Sequence, residues 1–214
     1  NLDCLNRTTK SKEYTERMKE HDLQPPYVAF KEWHVICDAL LSGEQSIILR
    51  KGGIAEGRKG FAFQHNAFLL FPTFFHSQYD GVRKEISDEQ RHDSEEDRET
   101  VEFSGFCSVE GHAILSDWGE IESLEPFHIW QPSLLQERFD YGNQSALHLA
   151  VVKTHRFVAP LQVSYIKRFG GCRSWVDIPE NEVPPSTTVL DDKSWAEFHS
   201  GLVNTLTTNL IQSK

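Results

Sequence analysis

At 214 residues the chain has the length of one domain with an extension, and at 38% hydrophobic and 25% charged residues it is excluded from the disordered classes. The net charge of −10 is concentrated. Between Glu85 and Glu102 nine acids face only Arg91 and Arg98, so the remaining chain is close to neutral and a nucleic-acid partner is not excluded.

Residues 1–27 are polar and close on Pro25-Pro26, which predicts a mobile N-terminal extension, with a helical turn around Lys12–Glu20. From residue 28 to 214 the pattern predicts a single domain. "VAFKEWHVICDALLSG" repeats Phe30, Trp33, Ile36, Cys37, Leu40 and Leu41 at helical spacing and predicts one amphipathic helix ended by Gly43. "QSIILR" predicts a strand, Phe61–Phe63 a short strand or extended piece, and "NAFLLFPT" a strand stopped by Pro72. "FFHSQYDGVRKEI" predicts one or two helical turns. The acidic stretch, about 84–100, lacks apolar periodicity and predicts a disordered insertion.

"TVEFSGFCSVEGHAIL" alternates and predicts a strand. "SLEPFHIWQPSLLQERFDYG" predicts a loop and then a helix with Pro132 in its first turn. "SALHLAVVKTHRFVAP" predicts the strongest strand, and "RFGGCRSWVDIP" a glycine turn and a short strand. The C-terminal stretch predicts a long helix opened by acids, with Trp195, Phe198, Leu202, Leu206 and Leu210 on one side. This order argues α+β: a mixed or mostly antiparallel sheet flanked by helices.

Cys4, Cys37, Cys107 and Cys172 are widely spaced with no CxxC, which points to free thiols in a reducing, cytoplasmic setting. No apolar run reaches the roughly 18 residues of a membrane span, so no membrane partner is expected. No tight His, Cys or carboxylate spacing suggests a metal or another cofactor, and none is expected. An Asp followed by Glu-x-Lys on a strand, the signature of a metal-dependent nuclease, is missing from the chain.

The most distinctive stretch is "SIILRKGGIAEGRKGFAFQH". Arg50, Lys51, Arg58 and Lys59 surround Gly52, Gly53, Gly57 and Gly60. Glycines let backbone N–H groups turn toward an anion, and guanidinium forks match phosphate oxygens. The spacing fits neither established phosphate-loop pattern, so a plain glycine turn with solvated charges is the competing reading. Arg138 and Arg173 extend such a patch if the fold brings them close. His76 and His128 are candidate acid–base groups, against the commoner role of a hydrogen-bonded core histidine. Cys172, beside Arg173, is a candidate nucleophile, against a buried or half-buried thiol. A nucleophile also needs a base within reach, and the sequence places none beside it.

The segments "AFKEWHVICDAL…SIILRKGGIAEG", "FLLFPTFFHSQ", "HIWQPSLLQERF" and "GCRSWVDI" together resemble an uncharacterised bacterial family, a domain of unknown function. The resemblance runs from about Ala29 to Ile178. It implies recurring positions at Lys51, Gly52, Gly53, Phe71, Pro72, His76, His128, Trp130, Arg138, Phe139, Cys172 and Trp175. It also implies an accessory role in restriction or defence, because some relatives are joined to Mrr-type restriction endonuclease domains. Residues and resemblance together favour a non-catalytic nucleic-acid-associated module, with DNA or RNA and a nuclease protein as partners. The alternatives are a small Cys/His enzyme acting on an anionic substrate and a protein-interaction domain without ligand.

Overall fold

A computed structural model describes residues 23–51, 62–87, 91, 98–179 and 181–212. Most of the expected N-terminal extension (residues 1–22) and most of the expected acidic insertion (88–90 and 92–97) lie outside the described residues.

The first element corrects the sequence reading. Val28–Trp33 is a strand, β1, and the helix α1 covers only His34–Ser42. Phe30 and Trp33 fall at helical spacing from Ile36, yet β1 runs between two other strands, where an apolar, aromatic stretch is favoured in extended form. Trp33 is the extended N-cap, and Gly43, at φ 77°, ends α1 by donating its N–H to Leu40 O. Next comes β2, Ile47–Arg50. No strand forms at Ala62–His65, although Phe63 is buried; Phe61 and residues 52–60 lie outside the described residues.

Strand β3, Ala67–Thr73, runs through Pro72 instead of stopping there. Only Ala67–Leu69 pairs with the next strand, so at Pro72 the ladder is one-sided, a setting in which proline is tolerated. His76–Gln78 is a single 3-10 turn. The long strands β4, Thr100–Leu115, and β5, Leu147–Ser164, pair antiparallel from Thr100↔Ser164 to Leu115↔Leu147. A register shift falls between Phe103 and Gly105, and a Cβ at Gly105 would overlap the carbonyl oxygen of His155. Between β4 and β5 lie α2, Trp118–Ser123, which the sequence reading did not foresee, a 3-10 turn at Glu125–Phe127, and α3, Pro132–Asp140.

The chain ends with β6 (Trp175–Asp177), β7 (Ser186–Thr188), α4 (Asp192–Thr205) and β8 (Ile211–Gln212). Asp191 caps α4 by accepting from Ser194 N at 2.7 Å. Leu206 and Leu210, expected on this helix, lie beyond it. There the carboxylate of Glu120 accepts from Thr207 N and Thr208 N and takes these donors away from a further helical turn.

The sheet is mixed and α+β, in the order β2-β5-β4-β3-β1-β6, with β7 on β5 and β8 on β4. Among the described strands only β1 and β3 run parallel. Laid flat, β2 and β6 would stand roughly 24 Å apart at about 4.8 Å per strand. Instead Arg50, ending β2, donates to Ser174 Oγ, just before β6, at 3.3 Å. The open sheet is therefore strongly curled, and its two ends meet. Inside, Phe30, Ile36, Leu40, Phe68 and Trp130 form the larger core; Ala29, Leu69, Phe71, Phe103 and Phe169 form a second core on the opposite face. Among the described residues no helix is long and apolar enough to cross a membrane.

Candidate anion and nucleic-acid interface

The meeting point of β1, β2 and β6 gathers charge. Alternation along β1 puts Glu32 on the same face as Phe30. Its carboxylate is buried, at 1% exposure. Oε1 accepts from the Trp33 backbone N–H at 2.8 Å and lies 3.8 Å from Arg50 Nη1, while Oε2 has no hydrogen-bond partner. The Arg50 guanidinium stands 5.6 Å from the centre of the Phe30 ring and also binds Ser174. Packing and two polar contacts thus fix a side chain that would be flexible in solvent.

Arg138 enters the same neighbourhood from α3. Its guanidinium lies 4.7 Å from the Trp33 ring centre and 4.3 Å from that of Trp130, and those rings are 5.0 Å apart. Burial lowers the pKa of Arg138; Glu32 opposes that shift, Arg50 adds to it, and Glu137 opposes it more weakly. Nη1 of Arg138 has no hydrogen-bond partner. Two guanidinium groups therefore share the Glu32 carboxylate, and Glu137 acts on Arg138 more weakly.

Lys51 has a different task. Its ammonium donates to Phe139 O at 2.9 Å, to Ala146 O at 3.2 Å and to Gln144 O. These carbonyls belong to the end of α3 and the segment after it, where a cation complements the helix dipole. Desolvation lowers the Lys51 pKa, partly opposed by Asp140. With three donors spent on three carbonyls, Lys51 fastens the helix that carries Arg138.

Arg173 is exposed, and it directly precedes the Ser174 that Arg50 holds. Cys172 is exposed too, unlike the buried or half-buried thiol the sequence suggests. It follows Gly171, whose φ of 81° makes the turn and whose carbonyl accepts from Lys31 Nζ at 3.0 Å. Gly52, Gly53, Arg58 and Lys59 lie outside the described residues. The backbone of His76 opens the 3-10 turn.

His128 is buried elsewhere, between α2 and α3. Its Nδ1 accepts from Trp130 N at 3.2 Å, its carbonyl accepts from the Arg83 guanidinium, and Nε2 has no partner. Burial first, and Arg83 second, push its pKa down to about 4, so the ring is neutral at pH 7. It lines a cavity of about 50 Å³ with Trp118, Ile121, Glu122, Glu125, Pro132 and Leu135. Cys172 is not among those residues. Among the described residues no group of His, Cys, Asp and Glu is arranged to hold a metal ion.

The fold thus brings together Arg50, Arg138 and, one residue away, Arg173. Sequence reasoning missed their hub, Glu32, and the Ser174 anchor. The available signal was Lys31-Glu32, two charges inside an otherwise apolar strand.

Comparison with known proteins places the chain in a family. No curated protein matches the chain by sequence. Among solved structures, the crystal structure of ASCH from Zymomonas mobilis is similar at 12% identity and a TM-score of 0.38, covering 83% of this chain and 96% of that one. A single-residue mutant of the same protein is similar at 10% identity and a TM-score of 0.41, covering 82% and 97%. At such scores no residue and no activity carries across. The family model described as "Domain of unknown function (DUF1802)" matches residues 29–201, the stretch that holds the sheet apart from Val28 and β8, and every side chain of the charged cluster. The chain belongs to that family.

Proposed function

We propose that the chain is a non-catalytic module that associates with nucleic acid at the curled end of its sheet. The observation that carries this reading is the convergence of Arg50 and Arg138 on the buried Glu32, with the exposed Arg173 beside them. Phosphate is contacted by Arg50 and Arg173 and by Arg58 and Lys59 of the glycine-rich segment, which starts two residues after Arg50. Arg138 works from inside, supporting the cluster, and Lys51 holds its helix in place. The family resemblance supports a context in restriction or defence, with a nuclease protein as partner.

The test is binding to labelled single- and double-stranded DNA and RNA across a salt series, beside a variant with Arg58, Lys59 and Arg173 changed to Ala. The expected result is affinity that falls steeply with salt, with the slope reduced by about 1 for each phosphate contact removed. Absence of binding at low salt in the unaltered chain overturns the reading.

A further inference from the structure

Between α2 and α3, His128 leaves one buried donor unused. The residue is 4% exposed. Its Nδ1 accepts from the Trp130 backbone N–H at 3.2 Å, so Nδ1 carries no proton. Burial keeps the ring neutral, and its one N–H proton therefore sits on Nε2. Nε2 finds no acceptor among the described residues. Such a donor forfeits its bond to water without replacement, and folded interiors leave few of them. Room for the missing acceptor lies beside the ring. His128 lines a cavity of about 50 Å³, enough for roughly three to five non-hydrogen atoms.

The remaining lining selects the kind of acceptor. Ile121 and Leu135 are buried and apolar, and Trp118 adds a half-buried ring. The exposed charged side chains of the lining are both acids, Glu122 and Glu125. Glu125 pairs with Arg83, which does not line the cavity, and Glu122 pairs with no cation among the described residues. A buried water wants about three hydrogen bonds, which apolar walls do not supply. A carboxylate or phosphate accepts from Nε2 but is repelled by Glu122. A carboxamide brings a neutral acceptor, N–H donors that suit a carboxylate, and a small apolar body. We propose that this cavity binds a small carboxamide, with its carbonyl accepting from His128 Nε2 and its N–H turned toward Glu122. The proposal is independent of the nucleic-acid reading.

The experiment titrates the full chain with acetamide and, separately, with acetate, which has the same shape but a negative charge. The readout is the Trp118 indole N–H resonance. Acetamide is expected to give a saturable shift with millimolar affinity, the range open to so small a ligand. Acetate is expected to bind about tenfold more weakly or not at all. His128→Phe keeps the bulk of the ring and removes the donor, and is expected to weaken acetamide about tenfold. Glu122→Gln, a surface change, is expected to bring acetate close to acetamide. A free carboxamide and an asparagine side chain of a partner chain present the same group, so N-acetylasparagine methylamide is run beside them. Binding about tenfold tighter than acetamide assigns the group to a partner chain, and equal or weaker binding assigns it to a free molecule. Absence of a saturable shift with acetamide, equal binding of acetate by the unaltered chain, or full acetamide affinity in His128→Phe overturns the proposal. If His128→Phe does not fold, the titrations of the unaltered chain and of Glu122→Gln decide alone.

Discussion

Arg50 Nη1 lies 3.8 Å from Glu32 Oε1, and this contact joins the last residue of β2 to a buried carboxylate in β1. Glu32 is the sole acid set between Arg50 and Arg138 in the contacts described. Its removal takes away the carboxylate that both guanidinium groups share and leaves Arg138 only the weaker field of Glu137. Glu32→Ala is expected to cost about 3–5 kcal/mol in urea unfolding, as for other buried pairs broken on one side. Arg50→Ala is expected to cost less, because its side chain is partly solvated.

Lys51→Met keeps the aliphatic stem and removes the ammonium. Three carbonyls at and beyond the end of α3 then lose their donor. The expected loss is about 2–3 kcal/mol of stability. Hydrogen exchange should be faster through Leu135–Phe139 and unchanged in β4.

His128 makes stability depend on pH. The unfolded imidazole takes up a proton near pH 6.5, whereas the folded one, desolvated and close to Arg83, does so only at about 4. Between those values the unfolded state binds more protons, so stability falls as pH falls through the window. The full effect is about 3 kcal/mol. Thermal melts of His128→Gln should show a flatter pH dependence between 6.5 and 4 than the unaltered chain.

Glu120 pins the C-terminal segment by accepting from Thr207 N, Thr208 N and Thr208 Oγ1 at 2.7, 2.6 and 2.7 Å. Burial alone would raise its pKa, but the hydrogen bonds from Thr208 and Thr207 outweigh it and hold the carboxyl below its ordinary value. Its contribution is present above the unfolded pKa and is lost as pH falls through the lower folded value. Glu120→Ala is expected to release Thr207–Gln212, including β8, from β4. Proteolysis confined to that segment, with the melting of the remaining chain little changed, would show it.

The sequence was legible where elements are long and their apolar pattern has one period. β4, β5, α3 and the start of α4 are of that kind. It misled where two periods overlap: Phe30 and Trp33 extend the helical stripe of α1 although they stand in a strand, and the neighbours that decide this, β3 and β6, come from residues 67–73 and 175–177. The end of α4 was hidden for a related reason, since Glu120 takes Thr207 and Thr208 from 87 and 88 residues away. The arginines of the candidate site were visible as a basic, glycine-rich surrounding. Glu32 was not, because a single acid in a strand says nothing of what it faces. Lys51, grouped by sequence with Arg50, is separated from it by the strand's alternation and by the carbonyls at the end of α3.

The contact between Arg50 and Ser174 spans 124 residues of chain. Loop closure over such a distance is unfavourable until the intervening strands have paired, so the charged cluster assembles late in folding. A chain emerging from the ribosome carries Arg50 long before it carries Ser174, and through that interval it has basic residues but no assembled cluster. The affinity proposed for this place would therefore be acquired only when the sheet has curled.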